Sequence, residues 1–331
     1  METTYNDTVT DFQRQVQAMM MLKAFDNLCA KARGSFRIVP LKGIDLMRSL
    51  YADTLDRELR DIDLLVLPAE RAMGFIEMLQ RDGYRPEFSF ALDKAALEKK
   101  KKVSMLAPSE QMPNVDVHLE LITKKFFSAT INGFNQDAIS RLTATDDVVS
   151  VLDNVDRWLF LATHLTFHFL EGEKWYRDLA MLTERLDEEE MSILLKRARQ
   201  YHFERVVWAV ATRLQMMYPD LTKRIETGNL LPASSKYFTR YINYLATHPE
   251  RLGHGFRLGR YYWEFLFVSR AEQRHYAVLR MLFPSLGTLQ NIYRCHVLVA
   301  PLLYVPHVLV NVLGLSLFAV QYRILSNTRR R

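Results

Sequence analysis

The sequence predicts an α/β or α+β protein, in which a part with alternating strands and helices is followed by an all-helical domain. Short apolar runs bounded by turn residues recur between residues 36 and 121, and runs of this length are typical of strands. From about residue 148 onward, apolar residues instead recur at the three-to-four-residue spacing of helices. The chain of 331 residues exceeds one average domain, and its 12 glycines and 11 prolines are typical of a folded chain.

The predicted elements alternate between helix and strand in the first part of the chain. A helix over 11–33 ends at Gly34, because glycine commonly ends helices. The further elements are a strand with its turn over 36–43, a helix over 44–51, a strand over 61–67, a helix over 69–82, and strands over 84–90, 102–108 and 115–121. The predicted division is an N-terminal helical segment (1–35), a core with the sheet (36–145), a helical domain (146–290) and an apolar, arginine-flanked segment (291–331).

The net charge of +6 is unevenly distributed along the chain. Residues 251–331 contain eleven arginines, no lysine and two acidic residues, a net charge of +9, so the preceding residues sum to −3. A basic end on a mildly acidic body argues against a chain-wide nucleic-acid footprint, and no specific nucleic acid is expected as a partner. It favours a local anionic partner instead.

The two cysteines, Cys29 and Cys295, lie far apart and form no CxxC motif. This excludes a disulfide framework and a cysteine-rich zinc site, and it fits a reducing compartment. The polar N-terminus, METTYNDTVTDF, is not a secretory signal. A cytoplasmic protein is therefore expected.

Two aspartates stand at the start of the apolar run RDIDLLV (60–66). Asp61 and Asp63 are two positions apart, so on a strand they share one face and Ile62 lies on the other. Adjacent buried like charges are costly without a counter-charge, and hard divalent cations prefer oxygen ligands. The pair indicates either a cation site or a strand end that reaches solvent.

The stretch NVDVHLEL (114–121) repeats this arrangement, because alternation places Asp116, His118 and Glu120 on one face. If its strand neighbours RDIDLLV, three carboxylates from two strands can hold two divalent ions for phosphoryl chemistry. The alternative is a solvated face of an amphipathic strand. For His118, a general base and a hydrogen-bond partner of a metal-bound carboxylate are both open roles.

The tripeptide LKG places Lys42 and Gly43 at a strand-to-helix turn. Backbone N–H groups at a helix N-terminus bind phosphate, glycine permits close approach, and a lysine adds positive charge. The chain contains no Walker A pattern, GxxxxGK[ST], so this turn is not a P-loop.

Taken in order, these motifs resemble the uncharacterised nucleotidyltransferase family of the DNA polymerase beta superfamily. The resemblance is carried by LKG followed by LY, by R…RDIDLLV, a GY and VDVHLEL, and by the later HLTFHF…WYRDLAML (164–182) and FPS near residue 283. It spans roughly residues 36–290. It implies an α+β fold, in which a polymerase-beta-like nucleotidyltransferase core over 36–145, a mixed sheet flanked by helices, is followed by a helical portion.

The resemblance also implies roles for individual residues. Asp61, Asp63 and Asp116 are expected to hold Mg²⁺ or Mn²⁺ and to be catalytic. Arg57 stands four residues before the first aspartate, where a phosphate contact is expected. The nucleotide-binding residues that we expect are Lys42, Gly43, Arg57 and His118.

The reaction implied by the resemblance is transfer of an NMP group from a nucleoside triphosphate, with ATP as the expected donor. The acceptor is unidentified, with a small molecule, a glycan precursor or a peptide as candidates, and pyrophosphate is released. A second hypothesis is a non-catalytic nucleotide-sensing or scaffold protein that retains the fold.

Two further features have simpler interpretations. His164 and His168 are spaced i, i+4 on a predicted helix, but no third ligand is evident, so packing or a hydrogen bond to Asp178 is expected. The run EKKKK (98–102) is interpreted as solvent-exposed, with phosphate binding as the alternative.

The segment 297–320 contains no charged residue and is long enough to cross a bilayer, but prolines, His307, Asn311 and Gly314 interrupt it. Three alternatives follow: a buried terminal helix, an amphipathic or re-entrant membrane contact, and a membrane span. Because Arg294 and Arg323 flank the segment, an anionic membrane surface is a candidate partner, with a peripheral location at the inner membrane face.

Overall fold

The computed structural model describes residues 2–51, 57–87, 101–123, 128–168, 170, 172–220, 235–247 and 300–327, with several isolated positions between 225 and 289. The chain forms two compact units. The first comprises Met1–Thr123 and Asn132–Phe160, and the second comprises Lys124–Ile131 and Leu161–Arg331. The predicted boundaries at 35, 145 and 290 stay predictions.

The first unit is built on a five-stranded mixed sheet with strand order β1-β2-β5-β4-β3. Its strands are β1 (Arg37–Leu41), β2 (Asp61–Leu67), β3 (Arg85–Pro86), β4 (Lys102–Leu106) and β5 (Asn114–His118). The β2–β5 pair is parallel, whereas the other neighbouring pairs are antiparallel. All five inner residues of β2 are buried, so this strand is covered on both faces. It therefore reads as a continuous apolar run after its aspartates.

Three helices of this unit surround the sheet: α1 (Glu2–Ala32), α2 (Lys42–Ser49) and α3 (Ala72–Arg81). The sequence between β2 and α3 forms a short 3₁₀ turn over Ala69–Arg71. The apolar core includes Phe25, Ile38, Val39, Ile62, Leu64, Phe75, Val115 and Val117, all fully buried. An ion pair is also buried here, since Arg157 donates to Asp45 at 2.6 and 3.1 Å.

The remaining elements continue towards the C-terminus. They are α4 (Ser128–Ser140), the hairpin of β6 (Thr143–Ala144) and β7 (Ser150–Val151), α5 (Asn154–Phe167), α6 (Glu173–Arg185), α7 (Glu188–Gln200), α8 (Glu204–Met217), α9 (Lys236–Thr247) and α10 (Tyr304–Asn327). Asp187 precedes α7 and forms a capping box with Glu190. The Asp187 side chain accepts a hydrogen bond from Glu190 N, and the Glu190 side chain accepts one from Asp187 N.

The predicted α+β class, with a mixed sheet and a following helical part, is confirmed. β2 has the bounds that the sequence predicts, whereas α1 begins nine residues before the predicted start at 11. The apolar periodicity over 191–217 belongs to two helices, α7 and α8, which are separated at His202, a residue with a left-handed φ of 57°. The predicted strand over 84–90 forms only at Arg85–Pro86, and its last three residues lie outside the described residues.

In the described part of the chain, no helix is long and apolar enough to cross a membrane. Among the α10 residues whose burial the structure describes (304–314, 316, 317, 319 and 320), His307, Asn311 and Gly314 are buried and most of the others are exposed. The buried-helix alternative is therefore wrong for this part of the segment.

Candidate active site

Two carboxylates face each other across the parallel strands β2 and β5. Asp63 is the register partner of Asp116, so the two side chains project from the same face of the sheet. Asp63 is 3% exposed and Asp116 is 7% exposed, flanked along their strands by fully buried apolar residues. The solvated-face interpretation of β5 is therefore wrong at Asp116, and two buried negative charges need positive partners here.

Lys42 supplies the first positive charge, with its Nζ 2.6 Å from Asp63 Oδ1. The position follows from the sheet, since Leu41 is the register partner of Asp63 and Lys42 comes directly after it. Lys42 has a φ of 49°, in the left-handed region that side chains other than glycine rarely adopt. Strained backbone of this kind costs on the order of 1–3 kcal/mol and clusters at functional sites.

Gly43 is the second residue of α2, and the side chain of Arg57 lies directly against it. A Cβ added at Gly43 would lie 2.8 Å from Arg57 Nη1 and 2.7 Å from Leu59 Cδ2. No larger residue fits without moving these groups. Arg57 is itself only 7% exposed, so the guanidinium is held against the turn that carries Lys42.

His118 completes the cluster on β5, two residues after Asp116 and on the same face. Its Nε2 lies 2.9 Å from Asp63 Oδ1. Burial lowers the pKa of His118 below its usual value, although the Asp63 carboxylate opposes this effect. A neutral ring beside an ionised carboxylate carries its proton on Nε2, because the carboxylate can only accept. Its buried Nδ1 then has a free lone pair, with no partner among the described residues.

Asp63 remains ionised in this environment. Burial raises its pKa, but the charge of Lys42 and the hydrogen bond from His118 outweigh burial and hold the pKa well below its usual range. Both groups contact the same oxygen, Oδ1. The second oxygen of Asp63 is therefore the one open to a further ligand.

Lys102 supplies a second positive charge, which the sequence interpretation misses. It forms an ion pair with Asp116 and is the register partner of His118 on β4. Burial lowers the pKa of Lys102, but the hydrogen bond and charge of Asp116 exceed that effect and raise it. The interpretation of the EKKKK run as solvent-exposed is therefore wrong for its last residue, and 98–100 lie outside the described residues.

Asp61 lies at the edge of this cluster and is half-buried. Its pKa is raised by burial first and then by the charges of Asp63 and Asp116. A carboxyl group whose ionisation is disfavoured by two like charges gains most from a nearby cation. Asp61 and Asp63 thus share a face as the sequence predicts.

The cluster fits a divalent cation. Among the described residues, Asp63, Asp116 and His118 form the one group of three potential ligands, with ligand atoms within 4.8 Å of one another. The two carboxylates suit Mg²⁺ or Mn²⁺, whereas the imidazole is a ligand more typical of Zn²⁺ and other transition metals. The expected third ligand, Asp61, lies outside this group, whereas His118 lies inside it.

A family model described as uncharacterised nucleotidyltransferase matches residues 11–219. The chain belongs to this family. The match covers all five strands of the main sheet and every candidate site residue. The family description refers to nucleotidyl transfer in general. The FPS motif near residue 283 lies outside the matched residues. Among curated proteins, no significant match is found.

The histidine pair of the second unit forms an aromatic cluster. The rings of His164 and His168 are 4.5 Å apart, and they lie 5.4 and 4.6 Å from the Trp175 ring. These ring contacts are the packing that is one of the two alternatives predicted from the sequence. Neither histidine belongs to a group of three potential metal ligands in the described residues.

Proposed function

We propose that the chain is a Mg²⁺-dependent nucleotidyltransferase, which moves an NMP group from a nucleoside triphosphate, with ATP as the expected donor, to an acceptor and releases pyrophosphate. The observation that carries this proposal is the opposition of Asp63 and Asp116 in a buried cluster with two lysines. The cluster contains carboxylates, cationic side chains and a glycine turn. Phosphoryl chemistry depends on positioning and charge neutralisation, and these groups can provide both.

The proposed metal ligands are Asp61, Asp63 and Asp116, with His118 holding Asp63 in place. A bound Mg²⁺ or Mn²⁺ would neutralise phosphate charge and polarise the reacting oxygens. His118 and Lys42 both bind Oδ1 of Asp63, so Oδ2 is the oxygen that would bind the metal. His118 is thus proposed as a positioning residue at the nucleotide site, and this favours it as a partner of a metal-bound carboxylate over a general base.

The phosphate-binding residues are proposed around the cluster. The absence of a Cβ at Gly43 lets the Arg57 guanidinium lie against the first turn of α2, whose backbone N–H groups are proposed to bind phosphate oxygens. Arg57 and Lys42 place two cations at the same turn. Lys102 is the fourth proposed phosphate-binding residue, because its ammonium group lies beside Asp116 and is partly exposed.

The chemical step is in-line attack of an acceptor oxygen on the α-phosphorus. The new acceptor O–Pα bond forms as the bond from Pα to the bridging oxygen breaks, and the electron pair leaves with pyrophosphate. When the acceptor is a hydroxyl, its proton is released to solvent. Lys42, Arg57 and Lys102 neutralise charge on the departing pyrophosphate.

The acceptor is proposed to be a small molecule, a glycan precursor or a peptide. The basic C-terminal part of the chain favours a cytoplasmic protein that is peripheral at an anionic membrane face, with an acceptor that is available there.

Label transfer tests the reaction class. The full-length protein is incubated with Mg²⁺, a boiled cell extract as acceptor source, and ATP labelled at either the α- or the γ-phosphorus. Label from the α-position alone should enter a product, and Asp63→Asn should abolish the transfer. Asp82→Asn, at a carboxylate that pairs with Lys31 away from the cluster, should retain it. Transfer from the γ-position would instead identify a phosphotransferase.

The second hypothesis, a nucleotide-sensing or scaffold protein, predicts a different result in the label-transfer experiment. In that case no label enters a product, yet nucleotide binding persists in the wild type. Its partner binding should also persist in Asp61→Asn and Asp63→Asn.

A further inference from the structure

Helix α10 exposes a continuous apolar stripe. The exposed residues recur every three or four positions, which places them on one side of a helix. They are Leu302 (76% exposed), just before the helix, and Val305 (69%), Leu309 (59%), Leu313 (64%), Leu317 (66%) and Val320 (56%). An exposed apolar patch of this length marks an interaction surface.

Two polar residues of the same helix are turned inward. His307 is 4% exposed and Asn311 is 8% exposed, one turn apart. Asn311 Nδ2 donates to the His307 carbonyl at 2.8 Å and lies 3.2 Å from His307 Nε2, so the two satisfy each other locally. A helix exposed to water normally has the reverse arrangement, with its apolar stripe buried.

The charged residues that follow the stripe in the sequence are of one sign. Residues 300–327 contain a single charged residue, Arg323, and the chain ends with three arginines at 329–331. The wider segment 251–331 carries a net charge of +9. A second copy of this chain would bring the same positive charge to the contact. A surface that offers apolar chains together with negative charge complements both features.

We infer that the α10 stripe docks on an anionic lipid bilayer and lies in the plane of its surface. The leucine and valine side chains enter the acyl boundary, and the arginines bind lipid phosphates. Because no described helix is long and apolar enough to span, the helix lies on the membrane and does not cross it. The inference rests on the peripheral location proposed above, and it does not depend on nucleotidyl transfer.

Vesicle flotation of the full-length protein, without nucleotide, tests this inference. Wild type should bind phosphatidylglycerol-containing vesicles at least tenfold more tightly than pure phosphatidylcholine vesicles, and salt should weaken the difference. Leu309→Ser/Leu313→Ser/Leu317→Ser should lower the binding at least tenfold. Arg329→Gln/Arg330→Gln/Arg331→Gln should lower the preference for anionic lipid by about fivefold per arginine.

Two matched controls accompany these variants. Met19→Ser/Leu106→Ser/Met112→Ser changes three exposed apolar residues of the first unit (59%, 41% and 40% exposed) and should bind vesicles as wild type does. Asp61→Asn/Asp63→Asn should also bind as wild type, which separates failure of the docking surface from failure of the catalytic proposal. Circular dichroism establishes that each variant is folded.

Three results would overturn the inference. The first is no binding to anionic vesicles, and the second is equal binding to anionic and neutral vesicles. The third is a wild-type dimer in sedimentation that the three leucine substitutions convert to monomer, without any vesicle binding. That last result would assign the stripe to a second copy of the chain.

Discussion

Asp63 and Asp116 are register partners on two parallel strands, and each carboxylate binds a different lysine. Asp63 is paired with Lys42, which follows β1, and Asp116 is paired with Lys102, which begins β4. Each neighbour of the central β2–β5 pair thus provides one cation. Adjacent buried carboxylates are tolerable for this reason, and any divalent cation must share these carboxylates with the two ammonium groups.

Lys102→Met should have opposite effects on metal and nucleotide binding. Loss of the ammonium group removes a competitor for Asp116, so Mg²⁺ alone should bind more tightly, whereas ATP should bind about tenfold more weakly because one phosphate contact is lost. Calorimetric titration of each ligand measures both effects. Lys101→Met is the matched control, because Lys101 pairs with Glu120 outside the cluster. Parallel changes in the two affinities would contradict the proposed role of Lys102.

Gly43→Ala should destabilise the protein and weaken nucleotide binding. The added Cβ would lie 2.7 Å from Leu59 and 2.8 Å from Arg57, and overpacking of this kind costs about 1–3 kcal/mol. Gly133→Ala in α4 is the control, because its Cβ meets nothing within 4 Å and should stabilise the helix by about 0.5–1 kcal/mol. Urea unfolding measures both. Equal stability of the two variants would show that the turn relaxes around a methyl group.

His118→Gln should remove a pH dependence of stability. Burial lowers the pKa of folded His118 below the unfolded value of about 6.5, so the unfolded chain binds a proton that the folded chain excludes. The wild-type free energy of unfolding should therefore fall as the pH drops below about 6.5, by at most about 1.4 kcal/mol per pH unit from this group. Urea unfolding at pH 7.5, 6.5 and 5.5 compares the two proteins. Identical slopes would mean that His118 titrates normally in the fold.

Asp45→Leu should destabilise the first unit by about 3–5 kcal/mol, because it leaves the guanidinium of Arg157 buried without its carboxylate. The double variant Asp45→Leu/Arg157→Met should recover most of this loss. Asp82→Ala, which removes an exposed partner of Lys31, is the control and should cost less than about 1 kcal/mol. Thermal or urea unfolding measures all three. A double variant as unstable as Asp45→Leu would show that the pair is needed for more than charge balance.

The sequence predicts the fold best where a residue pattern is compatible with only one type of secondary structure. The run DIDLLVL is bounded and apolar, and it forms β2 with the predicted ends. The periodic pattern over 191–217 is ambiguous, because it continues through a residue, His202, whose left-handed φ separates two helices. Periodicity reports which positions are apolar, and it does not report where the backbone turns.

The site is predictable from sequence only along each strand. Alternation within β2 and β5 correctly groups Asp61 with Asp63, and Asp116 with His118. The contact of Lys102 with Asp116 depends on the register between β4 and β5, which no pattern in the chain specifies. The lysine run around Lys102 has the composition of a solvated loop, so the ion pair between Lys102 and the buried Asp116 becomes evident only in three dimensions.

Calorimetric titration of ATP, GTP, CTP and UTP with and without Mg²⁺, on wild type and Asp61→Asn/Asp63→Asn, tests the central claim most directly. Glu110→Gln, at an exposed carboxylate outside the cluster, is the control. We predict Mg²⁺-dependent binding of one nucleotide that is lost in the double variant and kept in the control. No nucleotide binding, or binding that is indifferent to both aspartates, would contradict the assignment of this cluster as a nucleotidyltransferase site.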